Sequence, residues 1–133
     1  MPTRWRFEAT NAAAGLREAS DELESILASQ GVSVAAQMAA RLVCEEIVLN
    51  AFEHGGATWV TLEVDSARQP HVLVFEDDGA RFSPATRTDR AGAGTQGDVS
   101  PRGRGLILVG GFTRSIDHHF ADGRNRLNVL LVE

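Results

Sequence analysis

A chain of 133 residues with a formal net charge of -5 and 43% apolar residues has the size and make-up of one globular domain. That acidity excludes general nucleic-acid binding, which needs a basic face, and no apolar run reaches the ~20 residues that span a bilayer. All 13 basic residues are arginines, which rules out a P-loop, whose lysine reads phosphate, and lysine Schiff-base chemistry.

The start, MPTRWRFEAT, lacks the apolar core of a signal peptide, and the single cysteine, Cys44, leaves no internal disulfide. A cytoplasmic location is the expectation. Residues 4–9 alternate Trp5 and Phe7 with charges, which predicts a short strand with one buried face. Asn11 then offers an N-cap for a long helix with Leu16, Leu23, Ile26 and Leu27 on its apolar side, ended by Gly31. Ser33 caps a second helix, in which Val34, Met38, Leu42 and Ile47 recur at helical spacing. That helix runs into His54-Gly55-Gly56, a cation-capable residue followed by a glycine stop.

Residues 58–64 alternate as a half-buried strand does, and residues 71–76 are almost continuously apolar, as in the middle of a sheet. Residues 83–102 hold one large apolar residue, Val99, among glycine, proline, serine, threonine and arginine, and predict a long loop. A short helix is expected over 105–112, then two strands, 113–120 and 125–132, joined by Ala121-Asp122-Gly123. The whole predicts a single α+β domain over 1–133. It is a two-layer sandwich with helices on one face of a mixed, mostly antiparallel sheet.

Three polar groupings carry chemistry. Glu46, Asn50 and His54 are spaced by four and share one stripe of the second helix. The side-chain oxygens of Glu46 and Asn50 suit a hard cation such as Mg²⁺, although a polar stripe is also what any surface helix presents to water. Glu76-Asp77-Asp78-Gly79 follows an apolar strand; a carboxylate there can accept a hydrogen bond from an exocyclic amine, and the same residues also make a simple Asp-Gly turn. Gly103-Arg104-Gly105-Leu106 opens the expected third helix, where exposed backbone amides bind anions. It is no dinucleotide fingerprint, since Leu108 stands where the third glycine belongs. Five arginines (Arg81, Arg87, Arg90, Arg102 and Arg104) cluster in and beside the long loop, as for a phosphate ligand or as solvated charge.

In this order and on these elements, EEIVLNAFEHG, EDDGARF and GRGLILV resemble the N, G1 and G2 boxes of the GHKL ATP-binding (Bergerat) fold, over roughly residues 34 to 132. The run from Glu46 to His54 is similar to the E-x-x-x-N-A-x-x-H pattern of the anti-sigma-factor serine kinases of the RsbW and SpoIIAB kind. Phe82 and Pro84 match residues that many members keep, whereas Arg81 replaces the second glycine of the usual D-x-G-x-G. The resemblance implies ATP and Mg²⁺ as cofactors. It implies Asn50 as the Mg²⁺ ligand, Asp77 as the adenine reader and Glu46 as the base. His54, Gly79, Arg81, Gly103, Arg104, Gly105 and Leu106 would complete the nucleotide site, with residues 83–102 as its lid. It further implies a serine kinase acting on a STAS-domain anti-anti-sigma factor, a sigma factor as second partner, and a homodimer. A non-catalytic module that sequesters its partner stands beside this, favoured by Arg81, and a detached histidine-kinase-type ATPase is the third reading. His118 and His119, adjacent on a strand, should face opposite ways, and Cys44 should be a small buried apolar residue.

Overall fold

The computed structural model of the chain describes residues 2–81, 104–109 and 112–131. In chain order the elements are β1 (Pro2–Glu8), α1 (Ala12–Ser29), α2 (Val34–Glu53), β2 (Trp59–Asp65) and β3 (Val72–Asp77). After the segment that lies outside the described residues come β4 (Arg104–Val109), β5 (Phe112–Ala121) and β6 (Arg124–Leu130). The strands form one sheet in the order β1-β2-β3-β6-β5-β4. Every described pairing is antiparallel, so the mixed sheet expected from the sequence is here antiparallel throughout the described strands.

Period-two alternation assigns the two faces of the sheet. Phe7, Val60, Leu62, Val64, Leu73, Phe75, Ile116, Leu127 and Val129 share the helix-covered face and are buried. On the open face Arg126 of β6 pairs with Glu76 of β3 at 2.5 Å. There, too, the Trp59 ring lies between Arg6 and Arg124, whose guanidinium carbons stand 5.1 and 5.6 Å from its centroid. Asp122 (φ 55°) and Gly123 (φ 73°) make the tight turn joining β5 to β6, in the positive-φ conformation that a two-residue hairpin requires.

Of the apolar side expected for α1, Leu16, Leu23 and Leu27 are buried and Ile26 is partly buried, and Ala19 and Ser20 join the buried face. Asn11 does precede it, but its side chain accepts from the Glu8 amide and leaves the helix's own first amides uncapped. Ser33 caps α2 through the Ala36 amide. The buried side of α2 corrects the sequence reading. Ala36, Ala39, Ala40, Val43, Cys44, Ile47 and Val48 face inward, while Val34, Met38 and Leu42 are 70%, 56% and 46% exposed. Small residues let the helix axis approach α1 and the sheet closely, a fit that the bulkier series would prevent. Arg41 ties α2 to Asp21 and Glu24 of α1. Cys44 is fully buried, and burial pushes its thiol far above the ordinary cysteine range.

The second correction concerns residues 104–109, expected in a helix. They form strand β4, paired with β5 from Arg104↔Asp117 to Val109↔Phe112. Leu106, Ile107, Leu108 and Val109 make a short apolar run that periodicity cannot assign, and pairing with an available strand edge decides it. No helix among the described residues is long and apolar enough to cross a membrane.

Candidate functional site

The C-terminal end of α2 and the loop after β3 are stitched together backbone to backbone. The carbonyl of Asn50 accepts from the amides of His54 (2.9 Å) and Gly55 (3.0 Å), closing the helix. Gly56, at φ 68°, then reverses the chain, and the Gly55 carbonyl accepts from the Ala80 amide at 2.8 Å. Gly79 packs into this junction so tightly that a Cβ on it would lie 2.8 Å from the Gly55 oxygen and 3.2 Å from the Ala57 nitrogen. Asp78 completes the joint. Its carboxylate accepts from the amides of Thr58 (2.8 Å) and Trp59 (3.2 Å) and from the Thr58 hydroxyl. Partial desolvation pushes the Asp78 carboxyl up, but these hydrogen bonds to the ionised form together outweigh it and hold it below the usual range.

Two of the three polar groupings, whose Asn50 and Asp77 are 27 positions apart in the chain, thus meet at one corner of the sandwich through Gly55, Gly79 and Ala80. Within α2 the Asn50 amide nitrogen donates to the Glu46 carbonyl at 2.7 Å. The nitrogen is therefore the end held on the helix backbone, and the oxygen is the end turned from it. Both Glu46 and Asn50 are half-buried, whereas His54, just past the helix, is exposed. A single carboxamide oxygen fits Mg²⁺ as it is held beside nucleotides, by few protein ligands and by phosphate oxygens. Among the described residues no three His, Cys, Asp or Glu side chains form a protein-only metal cage.

Asp77 ends β3 on the helix-covered face and is 5% exposed. Its Oδ1 accepts from the Gly79 amide at 2.8 Å and from the Asn125 side-chain amide at 3.0 Å. Burial pushes its pKa up, these two hydrogen bonds oppose the rise, and the nearby Asp78 and His118 act weakly in opposite directions. Asn125 opposes Asp77 in the register of β3 and β6 and is itself 1% exposed. It also donates to the Ala80 carbonyl at 2.7 Å, and its oxygen lies 2.9 Å from Nε2 of His118.

Sequence reasoning missed Asn125 and His118 as members of this site. The signal was present: Asn125, Leu127 and Val129 share one face of β6, and His118 and Ile116 share one face of β5, so a polar residue interrupts each apolar series. His118 is buried and His119 exposed, as their adjacency on a strand predicts.

The third grouping is placed in part. Gly103 and the segment 83–102, expected as a lid, lie outside the described residues. Arg104, Gly105 and Leu106 open β4, which lies beside α2. The anion site expected at a helix N-terminus is therefore not the local geometry at 104–106. Arg81, at the second glycine position of the G1 box, is exposed, with its guanidinium carbon 6.0 Å from the centroid of Phe120.

A buried, hydrogen-bonded carboxylate at a strand end, beside a helix end carrying an oriented carboxamide, can read an amine-bearing base and hold a metal-bound polyphosphate next to it. No curated protein matches the sequence closely enough to count as a relative. The family model described as "Histidine kinase-like ATPase domain" matches residues 8–131, nearly the whole chain, so this protein belongs to the histidine kinase-like ATPase domain family.

Proposed function

We propose that this protein is an ATP- and Mg²⁺-dependent protein serine kinase that serves as an anti-sigma factor in a partner-switching system, phosphorylating a STAS-domain anti-anti-sigma factor on serine, with a sigma factor as its second partner. The observation that carries the nucleotide part is Asp77, a buried carboxylate whose described hydrogen bonds fall on one oxygen. The serine specificity and the two partners rest on the similarity of Glu46–His54 to the anti-sigma kinase pattern. Homodimerisation and a cytoplasmic location belong to the same reading.

In this mechanism Asp77 accepts from the adenine amine, with Gly79 allowing the base to approach the backbone. Asn50 would hold Mg²⁺, whose charge offsets that of the phosphates. Arg81, Arg104, Gly103, Gly105 and Leu106 would line the phosphate side, and His54 the rim. The serine oxygen attacks the γ-phosphorus, the bond from that phosphorus to the β–γ bridging oxygen breaks, and ADP departs. Glu46 takes the serine proton. Because the transition state is loose, positioning outweighs the base in importance.

Asn50→Ala should abolish Mg²⁺-nucleotide binding, read by calorimetry. Glu46→Ala should bind normally and slow transfer by about 100-fold or more, read with labelled ATP and a STAS-domain substrate. A Glu46→Ala protein that phosphorylates at the wild-type rate removes that residue from the mechanism.

One observation favours a second reading, a regulator that binds its partner without catalysis: residues 104–109 pair as a strand instead of opening a helix toward phosphate. Titration with ATP-Mg²⁺ and ADP separates the two. Micromolar binding followed by transfer supports the kinase; silence at millimolar nucleotide with a stable partner complex supports the regulator.

A further inference from the structure

We propose that Asn125 is a positioning residue for base selection: held in one orientation by His118, it occupies Oδ1 of Asp77 and so presents Oδ2 as an acceptor for a 6-amino purine. The inference rests on the adenine-reading role given to Asp77 above.

The orientation follows from counting donors and acceptors. One end of the Asn125 side chain faces three oxygens: Asp77 Oδ1 at 3.0 Å, the Ala80 carbonyl at 2.7 Å and the Gly79 carbonyl at 3.4 Å. That end must be the NH₂ group, since the carboxamide oxygen would meet three acceptors there. The other end is then the oxygen, and it faces Nε2 of His118 at 2.9 Å. His118 must donate, so its Nε2 carries a proton in the neutral ring and in the imidazolium alike. All three side chains are at least nine-tenths buried, so a reversed amide would leave several polar atoms unsatisfied away from water.

The consequence falls on Asp77. With Oδ1 taken by the Gly79 amide and by Asn125, the carboxylate cannot rotate without breaking both bonds. A carboxylate accepts only, which suits the amine of adenine and repels the carbonyl that hypoxanthine carries at the same position. Burial favours the protonated form, which would present a donor instead; the bond from Asn125 opposes this. Among the described residues, the other charged or titratable groups acting on Asp77 are Asp78 and His118.

The test compares wild type with Asn125→Leu, Asn125→Asp and His118→Leu, titrated calorimetrically with Mg-ATP and Mg-ITP between pH 6 and pH 8, with circular dichroism melts reporting folding. ITP differs from ATP at position 6 of the base. Wild type should prefer ATP by about tenfold or more. Asn125→Leu should lose most of that preference. Asn125→Asp places a second carboxylate against Asp77, so ATP binding should be weak at pH 8 and recover toward pH 6 as the pair takes up one proton. His118→Leu removes the donor that fixes the Asn125 amide and should lower the ATP:ITP preference.

A folded Asn125→Leu with the wild-type ATP:ITP ratio overturns the proposal for Asn125 while leaving the adenine reading intact. If that variant does not fold, Asn125→Asp decides: ATP affinity independent of pH and equal to wild type overturns it. Wild type that binds ATP and ITP equally, or neither, overturns the adenine reading itself.

Discussion

At the scale of single residues, Asp77 is held buried in a state that costs stability. Its pKa is raised chiefly by burial, so the ionised form is disfavoured in the folded chain. For a carboxyl raised in this way, the cost to stability is present above its folded pKa and is relieved as pH falls through that value. Asp77→Asn keeps an oxygen for Gly79 and Asn125 and removes the charge. Its melting temperature at pH 7 should equal or exceed that of wild type, and the difference should shrink on acidification. The same substitution places an NH₂ group where Oδ2 stood, so affinity for ATP should fall by about tenfold or more while ITP gains relative to it. Gly79 stands under a different constraint. With backbone atoms 2.8 and 3.2 Å from any added Cβ, Gly79→Ala must push apart the loops after α2 and β3. A loss of about 1–3 kcal/mol in chemical denaturation is expected, together with weakened nucleotide binding.

At the scale of elements, the strands β2 and β3, the helix α1 and the β5–β6 hairpin were legible because each carries one unambiguous signal: alternation, a wide apolar stripe, or Ala-Asp-Gly between apolar runs. Two elements were not. In α2 the larger side chains Val34, Met38 and Leu42 gave a regular series that outweighed the alanines, yet close packing against α1 selected the small-residue face. In β4 a four-residue apolar run carries no period, and its glycine-flanked entry read as a helix start. The α2 assignment is checked by a pair of variants. Met38→Lys should change stability by less than about 0.5 kcal/mol. Ile47→Ala, at a site 2% exposed, should cost about 2–5 kcal/mol. Urea titration of both reads the difference.

At the scale of the whole molecule, the Asp77–Asn125 pair sits on β3 and β6, the two central strands of the sheet, and is flanked by two further strands on either side. The α2 end meets this centre through the Gly55–Ala80 bond. Fold class and the first two polar groupings could be read from sequence, because each is a local pattern on one element. The Asp77–Asn125–His118 network could not, because it joins residues up to 48 positions apart whose meeting depends on strand order. Ligand that binds the folded state adds RT ln(1 + [L]/Kd), so saturating ATP at about 100 times Kd should stabilise the protein by about 2.7 kcal/mol. A thermal melt with and without Mg-ATP measures this.

The two tryptophans lie on opposite faces of the same sheet edge, Trp5 bonded through its ring nitrogen to Glu22 of α1 at 2.7 Å and Trp59 lodged between two arginines. They are therefore built-in optical reporters that can be separated by Trp5→Phe and Trp59→Phe. Emission from position 5 follows the detachment of the first helix, while emission from position 59, whose own amide is bound by Asp78, follows events at the loop after β3, beside Asp77.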